Sequence, residues 1–147
     1  MEKAKLLINE LAELTSTEIN FTAENICEVV VEDRLILLRY RPEDNDWLYF
    51  GVVFESEELS REMLEKALAL NLFGAETLGL HLGLFARSLI LSGTVPADGL
   101  DAEGLAEKLL FLSKCIAKLS EKLQCDDSGA VASIPSELPF GANLISV

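Results

Sequence analysis

Basic residues are scarce in this 147-residue chain. It has 12 lysine and arginine residues against 25 aspartate and glutamate residues, which gives a formal net charge of −13 at pH 7. A surface with this charge repels the phosphate backbones of nucleic acids and the headgroups of anionic lipids. We therefore expect neither a nucleic-acid partner nor insertion into a membrane.

Cysteine, histidine and long hydrophobic runs are also in short supply. The three cysteines, Cys27, Cys115 and Cys125, form no C-x-x-C pair, and there is one histidine, so the ligand spacing of a zinc site is missing. No uncharged stretch is longer than ten residues, about half of what a membrane-spanning helix needs. The first ten residues have acids on both sides of a short apolar run and lack the features of a secretory signal. We expect a cytoplasmic protein without a metal or cofactor.

Apolar side chains, by contrast, are abundant and regularly spaced. Half of the residues are hydrophobic, which is enough for the core of one domain at this length. Spacings of three and four residues indicate helices, and alternating β-branched and aromatic residues between turn signals indicate strands. The pattern predicts helices at 2–15, 57–73 and 101–124 and strands at 26–32, 34–41, 47–54, 78–85 and 88–95.

The predicted order of elements is α-β-β-β-α-β-β-α. This order is typical of an α+β fold, in which helices lie on one face of a mostly antiparallel sheet. We assign residues 1–124 to this single domain, with Asp101 as the N-cap of the last helix. Residues 125–147 contain two prolines and several small residues, so we expect an irregular, partly mobile tail.

Motifs for catalysis are missing. His81 lies in a predicted strand without a serine or cysteine nucleophile near it in the sequence. Gly74, Gly79 and Gly83 are not followed by Lys-Ser or Lys-Thr, so they do not form a phosphate-binding loop. We expect a protein that is not an enzyme. A small enzyme that acts through its carboxylates remains an alternative, because sequence does not exclude paired acids.

The predicted first sheet has apolar residues on the face that its charged side chains assign to solvent. Alternation places Val30, Leu35 and Leu37 there. In the third strand, residues 48, 50, 52 and 54 form the more apolar row, which we assign to the core, so Trp47, Tyr49 and Val53 are expected on the outward face as well. That amount of exposed apolar surface is typical of an interaction site. Two interpretations stay open: a groove that binds an apolar segment of another protein, or a face that a helix or the tail covers.

The chain resembles the class I chaperones of bacterial type III secretion, the Tir chaperone or CesT-like family. The shared features are the element order, the acidic charge, and a leucine-rich second helix that runs into Gly-Leu-His-Leu-Gly-Leu at 79–84. The resemblance implies a chaperone whose six outward residues bind the N-terminal segment of one or more secreted effectors. It further implies delivery of that segment to the secretion machinery, including its export ATPase.

The resemblance also implies a homodimer in which the second helix and the fourth strand meet their copies across a two-fold axis. The residues implied at this interface are Leu64, Leu68, Leu72, Phe73, Leu80, His81, Leu82 and Leu84. One alternative of another kind remains, a regulatory or scaffold protein of the same fold that binds a partner which is not secreted.

Overall fold

The computed structural model describes residues 2–22, 24–56, 59–72 and 79–125, with side chains as far as residue 123. The elements are the helices α1 (Glu2–Thr15), α2 (Arg61–Asn71) and α3 (Ala102–Cys125), and the strands β1 (Ile26–Val31), β2 (Arg34–Arg41), β3 (Asp46–Glu55), β4 (His81–Phe85) and β5 (Ser88–Pro96). Their order along the chain confirms the predicted α+β fold. Residues 126–147, nearly all of the predicted tail, lie outside the described residues.

Polar caps determine where two of the helices begin. The Ser60 hydroxyl accepts a hydrogen bond from the Met63 N–H at 3.1 Å, so α2 begins at Arg61 and not at the predicted residue 57. Asp101 accepts from the Gly104 N–H at 2.7 Å and caps α3 as predicted. The apolar stripe of α3 is buried throughout; it consists of Leu105, Leu109, Leu112, Ile116, Leu119 and Leu123.

The described strands form one antiparallel sheet in the order β1-β2-β3-β5-β4. A two-residue turn joins β1 to β2, and both of its residues, Glu32 and Asp33, have positive φ angles of 51° and 64°. Such a turn matches the twist of a hairpin. At the opposite end of the sheet, the Asn45 side chain donates to Asp98 at 2.9 Å and links the β2–β3 turn to the loop before α3.

The core lies between one face of this sheet and the helices α1 and α3. Trp47 is fully buried there, with its ring centroid 5.3 Å from that of Tyr40 and 6.3 Å from that of Phe21. Helix α3 crosses the same face, because the Ser113 hydroxyl donates to the Val31 carbonyl at 3.3 Å. We call this the inner face and the opposite side of the sheet the outer face.

The predicted orientation of β3 is wrong for three residues. Trp47, Tyr49 and Val53 are at most 5% exposed and point into the core, not outward. These residues alternate strictly with the outer row of Leu48, Phe50 and Val52, so in β3 the more apolar row is the one that faces outward. A β-bulge between Val52 and Phe54 then turns Phe54 towards the core. Because the bulge reverses the alternation, the apolar row that ends at Phe54 looks continuous in the sequence, although its members lie on both faces.

Gly51 contributes to the same error. It belongs to the inner row of β3, where it has no side chain and therefore makes that row look less apolar. A Cβ at this position would lie 2.6 Å from Ile116 Cδ1, so the glycine allows α3 to approach the sheet closely. Within the described part of the chain, no helix is both long and apolar enough to cross a membrane.

Candidate functional site

Among the described residues, the outer face of the sheet is apolar and uncovered. Its side chains stand opposite one another across neighbouring strands, as in the pairs Val30 with Leu35, Leu37 with Phe50, and Val52 with Ile90. Val30 is 59% exposed, Leu35 51% and Val52 43%. None of the described helices covers them. Burial of this face under a helix is therefore excluded for the described elements.

A shallow groove of about 440 Å³ runs over this outer face. It is lined mainly by apolar side chains, those of Leu35, Leu37, Phe50, Val52, Phe85 and Ile90, together with Asp33, Arg34, Gly51 and Ser88. Of the six residues predicted to face outward, Leu35 and Leu37 line the groove and Val30 lies exposed beside Leu35. Phe50, Val52, Phe85 and Ile90 were missed. The pairing of β3 with β2, which places Phe50 opposite the outward Leu37, would have identified Phe50 and, two residues further on, Val52.

One basic residue, Arg34, borders this apolar lining. Arg34 lies at the β1–β2 end of the groove, but it pairs with Val31, which packs against the core, so its side chain belongs to the inner row of β2. Its Nε is buried without a hydrogen-bond partner among the described residues. A buried donor without a partner costs about 1–3 kcal/mol.

A second apolar surface lies between α2 and the edge strand β4. This groove, of about 240 Å³, is lined by Leu64, Ala67, Leu68, Leu82, Gly83, Leu84 and Leu89. The structure thus brings together Leu64, Leu68, Leu82 and Leu84 from the predicted dimer interface, and Leu68 is 71% exposed. We call this surface the α2–β4 groove.

The remaining predicted interface residues have different positions. Leu72 is 51% exposed at the end of α2, and His81 is exposed at the start of β4. Leu80 is 5% exposed and lies against Gly93 in the core, so it has almost no surface to offer a second copy, contrary to prediction. Phe73 lies outside the described residues.

The polar chemistry of the described residues does not converge on either groove. Burial raises the pKa of the Cys27 thiol to about 12 and also raises the pKa of Cys115, so neither is an activated nucleophile. A hydrogen bond from Arg41 lowers the pKa of Asp46 in an ion pair near the β2–β3 turn. No group of three or more histidine, cysteine or acidic side chains is arranged to hold a metal ion in the part described.

Comparison with known proteins places this architecture in a family. A model of the Tir chaperone protein (CesT) family matches residues 6–127. The chain belongs to the Tir chaperone family. The match extends from α1 through α3, and so includes both apolar grooves. It confirms the resemblance to class I type III secretion chaperones drawn from the sequence.

Solved structures share the fold of this Tir chaperone family member at low sequence identity. The structure of the ExsC-ExsE complex matches with a TM-score of 0.70 and 16% identity, over 83% of this chain and 93% of that chain. The HopA1-SchA chaperone-effector complex matches with a TM-score of 0.64 and 16% identity, over 81% and 94%.

A third solved structure is named as a type III secretion chaperone, SycH of Yersinia pestis in complex with a stable fragment of YscM2. It matches with a TM-score of 0.59 and 19% identity, over 80% of this chain and 98% of that chain. Identities this low establish the fold alone. No curated protein sequence matches the chain.

Proposed function

We propose that the protein is a dimeric cytoplasmic chaperone for type III secreted effectors. It binds the N-terminal segment of one or more effectors, its clients, and shields the apolar side chains of that segment. It keeps the segment competent for secretion and delivers it to the export apparatus. Membership of the Tir chaperone family supports this proposal, as do the chaperone-effector complexes among the structures of the same fold.

The observation that carries the proposal is the open apolar outer face. Val30, Leu35 and Leu37 are joined there by Phe50 and Val52, in place of the three residues that β3 turns into the core. An extended client segment or a short amphipathic helix places apolar side chains on one side, and a shallow apolar groove accepts either. The shape suits a client that has no tertiary structure of its own.

The charge of the chain selects the kind of client. A net charge of −13 keeps an exposed apolar face from driving aggregation, since like-charged copies repel one another. The same charge attracts a segment whose apolar residues are flanked by lysine or arginine. We therefore expect basic residues on either side of the apolar positions of the client.

The α2–β4 groove is the surface that we assign to the homodimer. Leu68 and Leu84 are 71% and 56% exposed on either side of it, and an apolar surface of this kind is typical of an interface between permanent partners. A two-fold axis here would leave the outer face of each protomer accessible. The client and the second copy would then occupy separate surfaces.

The proposed mechanism is passive. Client binding removes apolar surface from water, and that free energy holds the segment extended. The chaperone itself hydrolyses no nucleotide, and it presents the complex to the secretion machinery, including the export ATPase. The chain acts as a carrier in this scheme and not as an enzyme.

Native mass spectrometry of the protein isolated from its source cells tests the proposal. We expect two copies of this chain bound to one larger protein, through a segment near the N-terminus of that protein that limited proteolysis identifies. The isolated segment should then bind the wild-type dimer, and Leu35→Asp should weaken this binding at least tenfold. Leu110→Asp, at a position that is 38% exposed on α3, is the matched control and should bind normally.

Two results would contradict the proposal. Detection of a monomer without a protein partner would contradict both the homodimer and the client-binding surface. The alternative of a carboxylate-dependent enzyme would then be the one to test. A stable partner that is never secreted favours the regulatory or scaffold protein of the same fold.

A further inference from the structure

The apolar part of the outer face ends at two arginines of β2. Leu35 and Leu37 line the groove on this face. Arg39 and Arg41 follow at intervals of two residues along the same strand, so they lie on the same side of the sheet. The outer face of β2 therefore changes from apolar to basic between Leu37 and Arg39, beside the groove.

The two arginines differ in their partners. The guanidinium of Arg41 donates two hydrogen bonds to the carboxylate of Asp46, at 2.8 and 2.6 Å. The side chain of Arg39 is exposed, and among the described residues it forms neither an ion pair nor a hydrogen bond. The chain has 25 acidic residues against 12 basic ones, so most of its cations have acids to pair with. The N–H donors of Arg39 remain available to an incoming group.

The neighbours of Arg39 on this face are apolar. Ile26 lies opposite Arg39 in β1 and Leu48 lies opposite it in β3, and both are half-buried. A guanidinium is more weakly hydrated than an ammonium group and is well suited to ion pairs at interfaces. A partner that covers Ile26 and Leu48 would also exclude water from Arg39, which strengthens its attraction for a carboxylate. The surroundings therefore favour a carboxylate that is carried on an apolar segment.

Two acidic residues of the sheet lie diagonally across from Arg39. Asp46 is one of them, and its carboxylate already binds Arg41. Glu28 is the other, since it lies opposite Leu37 in β1. Side chains in diagonal positions reach each other only when they are long, and the structure shows no ion pair between Glu28 and Arg39. Glu28 is therefore a weak competitor for Arg39 and repels any carboxylate that approaches it.

The separation of Leu37 from Arg39 sets the spacing that a client needs. Two positions along a strand span about 7 Å. In an extended client the residue two positions away covers the same distance, and in a helical client the residue four positions away rises about 6 Å. A carboxylate at either spacing from an apolar side chain would reach Arg39 while that side chain contacts Leu37 and Phe50, which are paired across β2 and β3.

We propose that Arg39 is a specificity residue, which selects client segments that carry an aspartate or glutamate two or four positions from an apolar residue. The client carboxylate binds the guanidinium of Arg39, and the apolar side chain lies in the groove beside Leu37 and Phe50. This inference rests on the proposed function, because it takes the outer face as the client surface.

An acidic position next to the groove is compatible with basic flanks on the client. The net charge of −13 belongs to the whole chain, and it acts on those parts of the client that lie over other regions of the surface. Salt screens exposed charges beyond about 8 Å under physiological conditions, so the carboxylate that touches Arg39 responds mainly to Arg39. The client should therefore carry one acidic residue beside its apolar residues and basic residues further out.

Selection from a display library of short random peptides tests the proposal. The full chain is the bait, and peptides are kept only if Leu35→Asp weakens their binding, so that those retained occupy the outer face. We expect aspartate or glutamate to be enriched two or four positions from an apolar residue. Selection on Arg39→Glu should instead enrich lysine or arginine there. Arg61→Gln is the matched control, since Arg61 is exposed on α2 and pairs with Glu65, and it should select acids as the wild type does.

The affinity of one selected peptide provides a second readout. Arg39→Gln should weaken its binding about three- to tenfold. Replacing the carboxylate of the peptide by the matching amide should weaken binding to the wild type by a similar factor and leave binding to Arg39→Gln unchanged. Glu28→Gln should strengthen binding of the acidic peptide, because the repelling carboxylate is lost. A merely structural role of Arg39 would produce none of these paired effects.

The two proposals fail in different ways. Retained peptides without an enriched acid at either spacing would overturn the role of Arg39 and leave the outer face as the client surface. The same conclusion follows if the amide peptide loses equal affinity for the wild type and for Arg39→Gln. A selection that yields no peptide sensitive to Leu35→Asp would contradict the outer face as the client surface, and the role of Arg39 would fall with it.

Discussion

The side-chain amide of Asn71, near the end of α2, binds the backbone of Leu82 as a neighbouring strand would. The Leu82 N–H donates to Asn71 Oδ1 at 3.0 Å, and Asn71 Nδ2 donates to the Leu82 carbonyl at 3.2 Å. Edge strands expose such backbone groups and invite pairing with other chains. Asn71 closes the edge of β4 at this point, and it holds α2 at the distance that forms the α2–β4 groove.

Replacing this amide tests its role in placing the helix. Asn71→Ala removes both hydrogen bonds and should lower the free energy of unfolding by about 1–3 kcal/mol, measured by urea denaturation. The Leu82 amide should also exchange its hydrogen faster in the folded state. Asn20→Ala is the control, since that side chain makes one exposed bond to Glu18 at 3.3 Å. Equal effects of the two substitutions would contradict a special role for Asn71.

Two glycines in neighbouring strands should respond differently to a methyl group. A Cβ at Gly93 would lie 2.6 Å from Leu80 Cδ2 and 2.7 Å from the ring of Tyr49, whereas a Cβ at Gly83 would have no atom within 4 Å among the described residues. Gly93→Ala should therefore destabilise the fold by about 1–3 kcal/mol. Gly83→Ala should change it by less than about 0.5 kcal/mol. Thermal unfolding at two protein concentrations separates these effects from changes in self-association.

Most of the fold is predictable from the sequence because local signals agree with tertiary packing. The apolar stripe from Leu105 to Leu123 predicted a buried helix, and every residue of that stripe is buried. The turn at Glu32 and Asp33 fixed the register of the first hairpin, so that Ile36 and Leu38 were correctly assigned to the core. Element order follows directly from such patterns.

The outer face was predicted less well because alternation along one strand does not determine which of two apolar rows faces the core. Up to Val52 the side chains of β3 alternate as expected, but the extra residue shifts Phe54 to the core side. If the whole row that contains Phe54 is assigned to the core, Trp47 is wrongly assigned to the outer face. The pairing of β3 with its neighbours, which sets Phe50 opposite Leu37 in β2 and Val52 opposite Ile90 in β5, resolves this. Single-strand patterns do not contain these contacts.

The proposed dimer should be sensitive to one exposed leucine. Leu68→Asp places a charge in the α2–β4 groove, at a side chain that is 71% exposed in the single chain. The variant should still fold, because little of Leu68 is buried within the single chain. The dimer should be lost, because its interface would have to bury an unpaired carboxylate. Sedimentation equilibrium should show a folded monomer. Leu35→Asp, on the outer face, should remain dimeric, and dimers of equal stability for both variants would exclude this interface.

The buried thiol of Cys27 should be unreactive in the folded protein. Its pKa of about 12 lies above the ordinary value of 9.0 because burial penalises the thiolate. Between pH 9 and pH 12 the folded chain therefore keeps the Cys27 proton while the unfolded chain loses it. The contribution of the buried neutral thiol to the stability of the fold is complete below pH 9 and is lost as the pH rises towards 12. Iodoacetamide at pH 8 should modify Cys27 only in urea, while an introduced Leu6→Cys, at a position 59% exposed, should react without urea. Equal native rates would contradict the burial of Cys27.

The orientation of β3 in the structure predicts opposite effects for substitutions at Trp47 and at Phe50. Trp47 is fully buried between α1 and the sheet, beside Tyr40, so Trp47→Ala should cost about 3–5 kcal/mol of stability. Phe50→Ala removes a ring that faces the groove and is only half-buried, and it should cost clearly less. Client binding should follow the opposite order, with the folded Phe50→Ala variant losing more affinity than a stable Trp47→Phe variant. If Trp47 instead proved to be the residue that clients contact, the outward orientation predicted from the sequence would be right and the buried position of Trp47 would be wrong.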